Sequence, residues 1–392
     1  MKTIAVVGAS LAGLSAARSL RKQGYDQRLV VIGEEAHRPY DRPPLSKEFL
    51  AGDIDEPALS LEMEDEDLDA EWLLGARAIG LDLRQRGVVL GDGRRVHADG
   101  VVIATGAAAR RLPGTADLTG VHVLRTLDDA LALRRDLALG GRLVVIGGGF
   151  IGAEVASTAH TLGLDVTIVE AGEAPLAGVF GKAMAASLAG LHAANGVKLL
   201  TGTGVRSLTG RGRVRGVLLH DGTVVPADTV VVGIGAVPCV DWLRDSGVRL
   251  SNGVHCGPSG LTDVPGVVAV GDCANWYDPT TGSHRRVEHW TGARELAAAA
   301  AAALLDPATP DPEPKPPYFW SDQYGTRIQF AGNGSLADSV AVEEGAVDDG
   351  SFVAVYRRQD TPVAVLGVNA TRTFTRWRRQ LMSGVPSRAA AR

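Results

Sequence analysis

The sequence is poor in the residues that carry thiol and zinc chemistry. It has three cysteines in 392 residues, Cys239, Cys256 and Cys273, and no C-x-x-C pair. The spacing therefore predicts neither a redox-active disulfide nor a zinc site, and no other metal site is predicted. Cysteine usage of this kind favours a reducing, cytoplasmic setting.

Long apolar runs and a strong net charge are also missing. The alanine-rich stretch 297–305 is far shorter than the ~20 apolar residues that a membrane span needs. The apolar stretch after Met1 and Lys2 contains glycines at positions 8 and 13, which fit a strand-to-helix turn, so we expect no secretory signal. A net charge of −5 argues against a general nucleic-acid binder. With 45% hydrophobic and 22% charged residues, the chain is otherwise typical of a globular protein of two or three domains.

What the sequence does contain is two glycine-rich loops, each lying between an apolar run and a helical stretch. They are Gly8-Ala9-Ser10-Leu11-Ala12-Gly13 and Gly147-Gly148-Gly149-Phe150-Ile151-Gly152. In such a loop the glycines permit a tight turn, close approach of the backbone to a pyrophosphate, and close packing of helix on strand. Ser10 replaces the middle glycine of the first loop, but it is small and its hydroxyl can donate to phosphate. Two such loops predict two dinucleotides in one protein, the arrangement needed to pass electrons between cofactors.

An acidic residue follows the second apolar run of each unit. These residues are Glu34 and Glu170. A carboxylate there accepts from ribose hydroxyls and repels a 2′-phosphate, and no arginine adjoins Glu170. The sequence therefore favours NADH over NADPH.

The pattern of apolar residues predicts the following order of elements. The first unit has a strand at 4–7, a helix at about 11–23 and a strand at 28–32, and the acidic run 62–71 is expected to be a solvated helix face. The second unit has a strand from 142, a helix at about 151–162, a strand at 165–169 and a meander of short strands at 197–209, 213–219 and 223–225. Six of the eleven residues 307–317 are proline, which predicts an extended connector, and 318–370 has the alternation of a β-rich domain. The last 32 residues contain six arginines and no acidic residue, and form either a frayed tail or a docking surface for an acidic partner.

Several motifs together carry a resemblance to a known family over essentially the whole chain. The chain resembles the flavin-dependent NADH:ferredoxin reductases of the putidaredoxin reductase type, which reduce the [2Fe–2S] ferredoxins of cytochrome P450s and aromatic-ring dioxygenases. The motifs are Val6-Val7-Gly8-Ala-Ser-Leu-Ala-Gly13, Tyr40-Asp-Arg-Pro-Pro-Leu-Ser-Lys47, Ala104-Thr-Gly106, Leu124-Arg-Thr-Leu127, Val145-Ile-Gly-Gly-Gly-Phe-Ile-Gly-Ala-Glu154, Val270-Gly-Asp272, Val287-Glu-His-Trp290 and Phe319-Trp-Ser-Asp-Gln-Tyr324.

The resemblance implies FAD at the first loop, NADH at the second, and hydride transfer to the flavin followed by one-electron steps to ferredoxin. Lys47 would lie beside the isoalloxazine, and Glu154 would pair with it and contact the nicotinamide carboxamide. Trp290, packed near the flavin, would shield the reduced cofactor from oxygen or stack with the nicotinamide. The catalytic candidates are therefore Lys47, Glu154 and Trp290. Asp272 would accept from ribityl hydroxyls, and Arg110 would lie near the FAD diphosphate. The cofactor-binding candidates are Gly8, Ser10, Leu11, Ala12, Gly13, Glu34, Arg42, Lys47, Ala78, Ala104, Thr105, Arg110, Arg125, Asp272, Trp290, Gly147, Gly149, Phe150, Ile151, Gly152, Glu154, Glu170 and Gly235.

The expected fold is α/β and glutathione-reductase-like, with two Rossmann-type dinucleotide-binding domains and a C-terminal α+β interface domain. We expect an FAD domain at 1–111 and 236–314, an NADH domain at 112–235 and the interface domain at 315–392. Arg285, Arg286 and the arginines after 370 are candidates for meeting an acidic ferredoxin.

Two kinds of alternative stay open from the sequence. One is an NADH oxidase, or a rubredoxin or quinone reductase, on the same scaffold. The other is an FAD-binding, redox-sensing interaction protein of the apoptosis-inducing-factor type. No nucleic-acid or membrane partner is expected.

Overall fold

A computed structural model describes residues 1–115 and 117–383. The helices are α1 Leu11–Lys22, α2 Glu48–Ala51, α3 Leu127–Leu137, α4 Phe150–Thr161, α5 Ala177–Ala194, α6 Trp290–Leu305 and α7 Thr371–Ser383. The strands up to the middle of the chain are β1 Thr3–Val7, β2 Arg28–Ile32, β3 Ala70–Leu73, β4 Ala78–Asp82, β5 Gly87–Leu90, β6 Arg95–His97, β7 Gly100–Ile103, β8 Ala107–Ala109, β9 Val121–His122, β10 Arg142–Ile146, β11 Asp165–Val169, β12 Lys198–Leu200 and β13 Val205–Arg211. The later strands are β14 Arg213–Leu219, β15 Val224–Pro226, β16 Thr229–Val232, β17 Ala236–Pro238, β18 Val254–Cys256, β19 Val267–Ala269, β20 Ala274–Asp278, β21 Ser283–Arg286, β22 Tyr318–Gln323, β23 Thr326–Gly332, β24 Ser339–Ala346, β25 Ser351–Arg358 and β26 Thr361–Val368.

The chain divides into two compact units. The first unit comprises residues 1–41, 59–108 and 237–317, and the second comprises 42–58, 109–236 and the chain from 318 onward. This division by compactness groups 42–58 with the second glycine-rich loop. The bounds of the FAD, NADH and interface domains given above stay a prediction, because compactness alone does not show which residues bind which nucleotide.

The first unit is built on a parallel sheet in the order β19-β7-β1-β2-β3. Strand β1 is buried along its whole length, which explains why residues 4–7 are continuously apolar and do not alternate with polar residues. Helices α1 and α6 pack together in this unit, and the alanines of α6 are small enough to allow it. In the parallel register Val7, Ile32 and Ile103 end three neighbouring strands at one edge of the sheet. The segments that follow those residues therefore share one edge.

The second unit repeats this plan with the parallel order β12-β11-β10-β16-β9. Here Ile146, Val169 and Val232 end neighbouring strands at one edge. The unit also holds an antiparallel five-stranded sheet, in the order β22-β23-β26-β25-β24, from the C-terminal part of the chain. Phe180 of α5 is fully buried among residues of that sheet, and its carbonyl oxygen accepts from the Tyr356 hydroxyl at 2.8 Å. The α/β class and the C-terminal α+β part are confirmed.

Two expectations about local structure in the first half and the middle of the chain need correction. The acidic run 62–71 is not helical: the Glu66 carboxylate turns to Arg18, which donates to it at 2.5 Å, and Asp69 has a φ of 44°, outside the helical range. The run then enters β3. The predicted strand 197–209 is two strands, since β12 joins the parallel sheet and β13 the meander.

Of the two alternatives for the C-terminal arginines, the frayed tail is wrong for residues 371–383, which form α7, and the docking surface stays a prediction. Phe374 and Trp377 are 1% and 7% exposed, with Leu381 packed against the same cluster. Residues 374, 377 and 381 have helical spacing, so one apolar face holds the helix on the sheet. Arg388 and Arg392 lie outside the described residues. None of the helices in 1–115 and 117–383 combines the length and apolar composition needed to cross a bilayer.

Candidate functional site

The first glycine-rich loop is a cradle in which only glycine fits at two positions. Gly8 has a φ of +119°, and a Cβ there would lie 2.0 Å from the carbonyl oxygen of Ala104. A Cβ on Gly13 would lie 1.8 Å from the carbonyl oxygen of Gly8. Ser10 is the N-cap of α1 in an extended conformation, and Leu11 and Ala12 open the helix. The free N–H groups of that first turn suit a diphosphate.

Asp272 lies beside this loop. A Cβ on Gly271 would be 2.7 Å from the Cβ of Ala12, so the segment after β19 approaches the start of α1 closely. Arg286 donates to the Asp272 carbonyl oxygen at 3.0 Å, which fixes the backbone of the segment. The structure thus brings Asp272 to the loop, as expected.

Other predicted flavin-side residues follow the same edge of the sheet. Glu34 comes after β2, is largely exposed and lies 3.6 Å from Arg77, whose neighbour Ala78 begins β4. Ala104 is buried after β7, and the Thr105 hydroxyl donates to the Cys239 carbonyl oxygen at 2.6 Å.

Trp290 is the first residue of α6 and is half-buried. Its indole N–H donates to the Asp41 carboxylate at 2.7 Å, and the Arg294 guanidinium lies 4.8 Å from the ring centroid. A hydrogen bond at one end and a cation over the face hold the ring in one orientation.

The second loop repeats the cradle at the start of α4. Gly147 has a φ of +98°, and a Cβ there would lie 2.3 Å from the carbonyl oxygen of Gly233. A Cβ on Gly152 would lie 2.2 Å from the Gly147 carbonyl oxygen, whereas a Cβ on Gly149, the N-cap of the helix, would make only an ordinary contact at 4.0 Å with the Gly233 carbonyl oxygen. In α4, Phe150 packs edge-on to Phe180, with ring centroids 5.9 Å apart, and Ile151 is 44% exposed.

Glu170 follows β11 and is bound to the loop itself. One carboxylate oxygen accepts from the Gly148 N–H at 2.8 Å, and the other accepts from the Gly172 N–H at 2.7 Å. Each carboxylate oxygen has a second lone pair, so these bonds leave capacity for a ribose hydroxyl. Gly235 lies further along the same edge, with a φ of +94°, and its carbonyl oxygen accepts from the Arg110 N–H at 2.9 Å.

A buried polar cluster of the second unit surrounds Glu154 of α4. This residue is 4% exposed, and its Oε2 accepts from the Lys47 ammonium at 2.8 Å and from the Ser46 hydroxyl at 2.5 Å. Its Oε1 accepts from the Ser321 hydroxyl at 2.7 Å. The predicted pairing of Lys47 with Glu154 is therefore present, although 107 residues separate the two in sequence.

The predicted arginines are placed by main-chain and carboxylate contacts. Arg42 donates to the carbonyl oxygen of Arg125, and the Arg125 N–H donates to Asp129 at 3.1 Å. Of the docking candidates, Arg285 lies 2.9 Å from Asp278. Arg286 pairs with Glu288 with only 11% of its side chain exposed. Arg286 is thus poorly placed to meet a partner.

The two cradles fit dinucleotides. In each, a Cβ would collide with backbone oxygen at two glycines, a helix N-terminus follows, and a carboxylate stands at the same sheet edge. Among the residues that the structure describes, no group of three or more histidine, cysteine, aspartate or glutamate side chains is arranged to hold a metal ion.

Sequence reasoning missed three residues of these sites, Asp41, Ser46 and Ser321. All three stand inside the quoted motifs around Lys47 and Trp320, but the motifs do not reveal which side chains meet. Serine and aspartate are common surface residues, and what sets these three apart is tertiary contact: Asp41 accepts from Trp290, and Ser46 and Ser321 are buried against Glu154.

Comparisons with known proteins agree with this geometry. Residues 2–297 match the family model described as pyridine nucleotide-disulphide oxidoreductase, and residues 318–392 match the one described as reductase C-terminal. The chain is 39% identical over 383 residues to the ferredoxin–NAD(+) reductase component of the biphenyl dioxygenase system of Paraburkholderia xenovorans (strain LB400), which covers 95% of this chain and 91% of that protein. It is 33% identical over 392 residues to a putidaredoxin reductase of Pseudomonas putida, covering 98% and 92% respectively. A chain of the crystal structure of the covalent putidaredoxin reductase–putidaredoxin complex superposes with a TM-score of 0.93 at 32% identity, over 98% of this chain and 94% of that one.

Proposed function

This chain belongs to the pyridine nucleotide-disulphide oxidoreductase family, and on that premise we propose that it is an NADH-dependent flavoprotein that reduces a [2Fe–2S] ferredoxin. As a ferredoxin–NAD+ reductase it would serve a dioxygenase or a cytochrome P450 through that ferredoxin. The observation that carries the proposal is the presence of two glycine-only cradles, at the N-termini of α1 and α4, in one chain. Relatives that match nearly the whole chain bear the names of such reductases.

We assign FAD to the first cradle. When bound, FAD supplies an isoalloxazine ring that accepts a hydride equivalent from NADH and yields electrons singly to an iron–sulfur protein. The N–H groups at the start of α1 bind its diphosphate, and the Asp272 and Glu34 carboxylates accept from its hydroxyls. Trp290 presents a ring held by Asp41. The Lys47 ammonium stabilises negative charge that develops on reduction.

NADH is assigned to the second cradle. The N–H groups at the start of α4 bind its diphosphate, and Glu170 accepts from the adenosine ribose. A 2′-phosphate would meet the Glu170 charge at short range, so NADPH is the poorer donor. Glu154 holds Lys47 and orients the nicotinamide carboxamide.

The cysteines support a one-electron acceptor over a thiol substrate. None of the three cysteines, all of which the structure describes, forms a disulfide, and Cys256 and Cys273 are buried. Burial raises the pKa of the Cys273 thiol to about 11 and that of Cys256 further, so neither forms the thiolate that disulfide exchange requires. The absence of a disulfide among these cysteines also fits the cytoplasmic location that we propose.

The proposal is tested by anaerobic titration of the purified protein with NADH and, separately, with NADPH. We expect a yellow protein whose flavin absorbance bleaches with one equivalent of NADH and much more slowly with NADPH. A colourless protein that cannot be reconstituted with FAD would refute the flavin assignment.

The electron acceptor needs its own comparison. Turnover with NADH is measured against a [2Fe–2S] ferredoxin, a rubredoxin, a quinone and oxygen, at equal enzyme concentration. We expect ferredoxin to give the highest kcat/KM. A quinone or oxygen rate that exceeds it would move the protein to the oxidase or quinone reductase class, while slow turnover with every acceptor would favour a redox-sensing role.

A further inference from the structure

The Glu154 carboxylate has more donors than an ion pair with Lys47 requires. Its Oε2 accepts hydrogen bonds from both Lys47 and Ser46, and its Oε1 accepts one from Ser321. The Ser321 oxygen in turn accepts from the Gln323 amide at 3.1 Å. The Ser46 oxygen also lies 3.5 Å from the Lys47 ammonium. Ser46 and Ser321 are 1% and 0% exposed, so their bonds to Glu154 are shielded from bulk solvent.

Three distant stretches of the second unit meet at this carboxylate. Ser46 ends the 3-10 turn Pro43–Ser46, Glu154 lies in α4, and Ser321 lies in β22. The Ser46 carbonyl oxygen additionally accepts from the Thr158 hydroxyl at 2.8 Å, one helical turn after Glu154. Ser46 is therefore fastened to α4 through both its side chain and its backbone.

We propose that Ser46 and Ser321 are positioning residues that fix the rotation of the Glu154 carboxylate, so that Oε2 alone faces the Lys47 ammonium. The catalytic consequence rests on the proposed function, in which Lys47 and Glu154 touch the cofactors. The positioning itself does not depend on it.

The physical reason is that a carboxylate held only by a lysine turns freely. A donor on each oxygen removes that freedom, because any rotation breaks at least one short bond to a charged acceptor. Without Ser321, Oε1 has no remaining side-chain donor among the contacts that the structure describes. The carboxylate is then held through Oε2 alone and can pivot about that oxygen, which weakens its contact with Lys47. The ammonium then spends more time unpaired.

The reactivity of Lys47 measures this directly. The purified protein is treated with trace acetic anhydride, and acetylation of Lys47 is quantified by mass spectrometry relative to Lys182, an exposed lysine paired with Glu173. For Ser321→Ala and Ser46→Ala we expect Lys47 acetylation to rise about fivefold, the change that loss of one hydrogen bond produces. Ser321→Thr, which restores the hydroxyl, should return it toward the wild-type value.

Ser157→Ala is the matched control. The Ser157 oxygen accepts from the Tyr324 N–H at 2.7 Å, so it also joins α4 to the end of β22 and is also buried, but it does not touch Glu154. Its loss should lower the thermal midpoint about as much as that of Ser321 and leave Lys47 acetylation unchanged.

The kinetic consequence is measured on the same variants. We expect the limiting rate of flavin bleaching by NADH to fall severalfold in Ser321→Ala, with FAD retained. Equal Lys47 acetylation in Ser321→Ala and wild type, or an equal rise in Ser157→Ala, would overturn the positioning role. If Ser321→Ala does not fold, Ser46→Ala decides by the same measurement. Failure of the proposed function looks different, because absent flavin or absent bleaching leaves the acetylation result intact.

Discussion

The replacement Glu170→Gln separates two roles of this carboxylate, ribose recognition and support of the loop. Its oxygens accept from Gly148 and Gly172 N–H groups at 2.8 and 2.7 Å. Glutamine keeps one oxygen and turns an amide NH2 toward the other donor, so one hydrogen bond to a charged acceptor is lost. Such a loss costs about 1.5–3 kcal/mol, equivalent to roughly 10- to 150-fold in affinity. We therefore expect kcat/KM for NADH to fall by about that factor, whereas NADPH, relieved of charge repulsion but offered a looser loop, changes by less than about threefold.

The assay is steady-state kcat/KM for both nucleotides with ferricyanide as the acceptor. Glu173→Gln is the control, since Glu173 lies in the same connection but is exposed and pairs with the exposed Lys182. It should stay close to wild type. An NADPH value that rises more than tenfold in Glu170→Gln while NADH is unchanged would refute the loop-supporting role, leaving Glu170 as a charge filter alone.

Three further expectations concern the cradle, the thiols and the pH dependence of folding. Gly8→Ala should abolish flavin binding, because its Cβ meets backbone oxygen at 2.0 Å; Gly24→Ala, at a φ of +86° with open space around it, should keep the flavin in an absorbance spectrum. A thiol reagent should modify at most one cysteine in the native protein, before and after NADH, because Cys256 and Cys273 are buried; extra thiols after NADH would reveal a disulfide relay. Burial lowers the pKa of His192 from 6.5 to about 4. The free energy of unfolding should therefore fall as the pH drops from about 6.5 to about 4, by up to about 3 kcal/mol. In His192→Gln the denaturant midpoint should fall less steeply between pH 6.5 and pH 4 than in the wild type. The same dependence of the midpoint on pH in both proteins would contradict the assignment to His192.

The sequence predicts the parallel halves of both units well. Strands 28–32 and 165–169 are found at those residues, and the helix after each loop begins within one residue of its expected start. Continuous apolar runs bounded by glycine leave little choice of structure when both faces of a sheet are covered.

Charged segments were harder to predict because their structure depends on distant partners. The run 62–71 was expected to be helical, yet Arg18 captures Glu66 and the chain continues into an edge strand. For residues 371–383 the sequence leaves a frayed tail and a docking surface as alternatives, because the arginines conceal the apolar face formed by Phe374 and Trp377.

The candidate site divides in the same way. The glycines of both loops, Glu170 and Lys47 can be recognised from the residues next to them in the sequence. The meeting of Ser46, Glu154 and Ser321 depends on tertiary packing and has no local signature.

The contact of Ser321 with Glu154 bears on how freely the C-terminal sheet can be exchanged between proteins. A chimera that kept residues 1–317 and borrowed its last strands from elsewhere would need a hydroxyl at the place of Ser321. Without such a hydroxyl, the Oε1 atom of the buried Glu154 would lose its hydrogen bond from Ser321. Exchange of this region would therefore change the hydrogen bonding of Glu154 as well as the sheet itself. The C-terminal sheet and helix α4 have to be exchanged together.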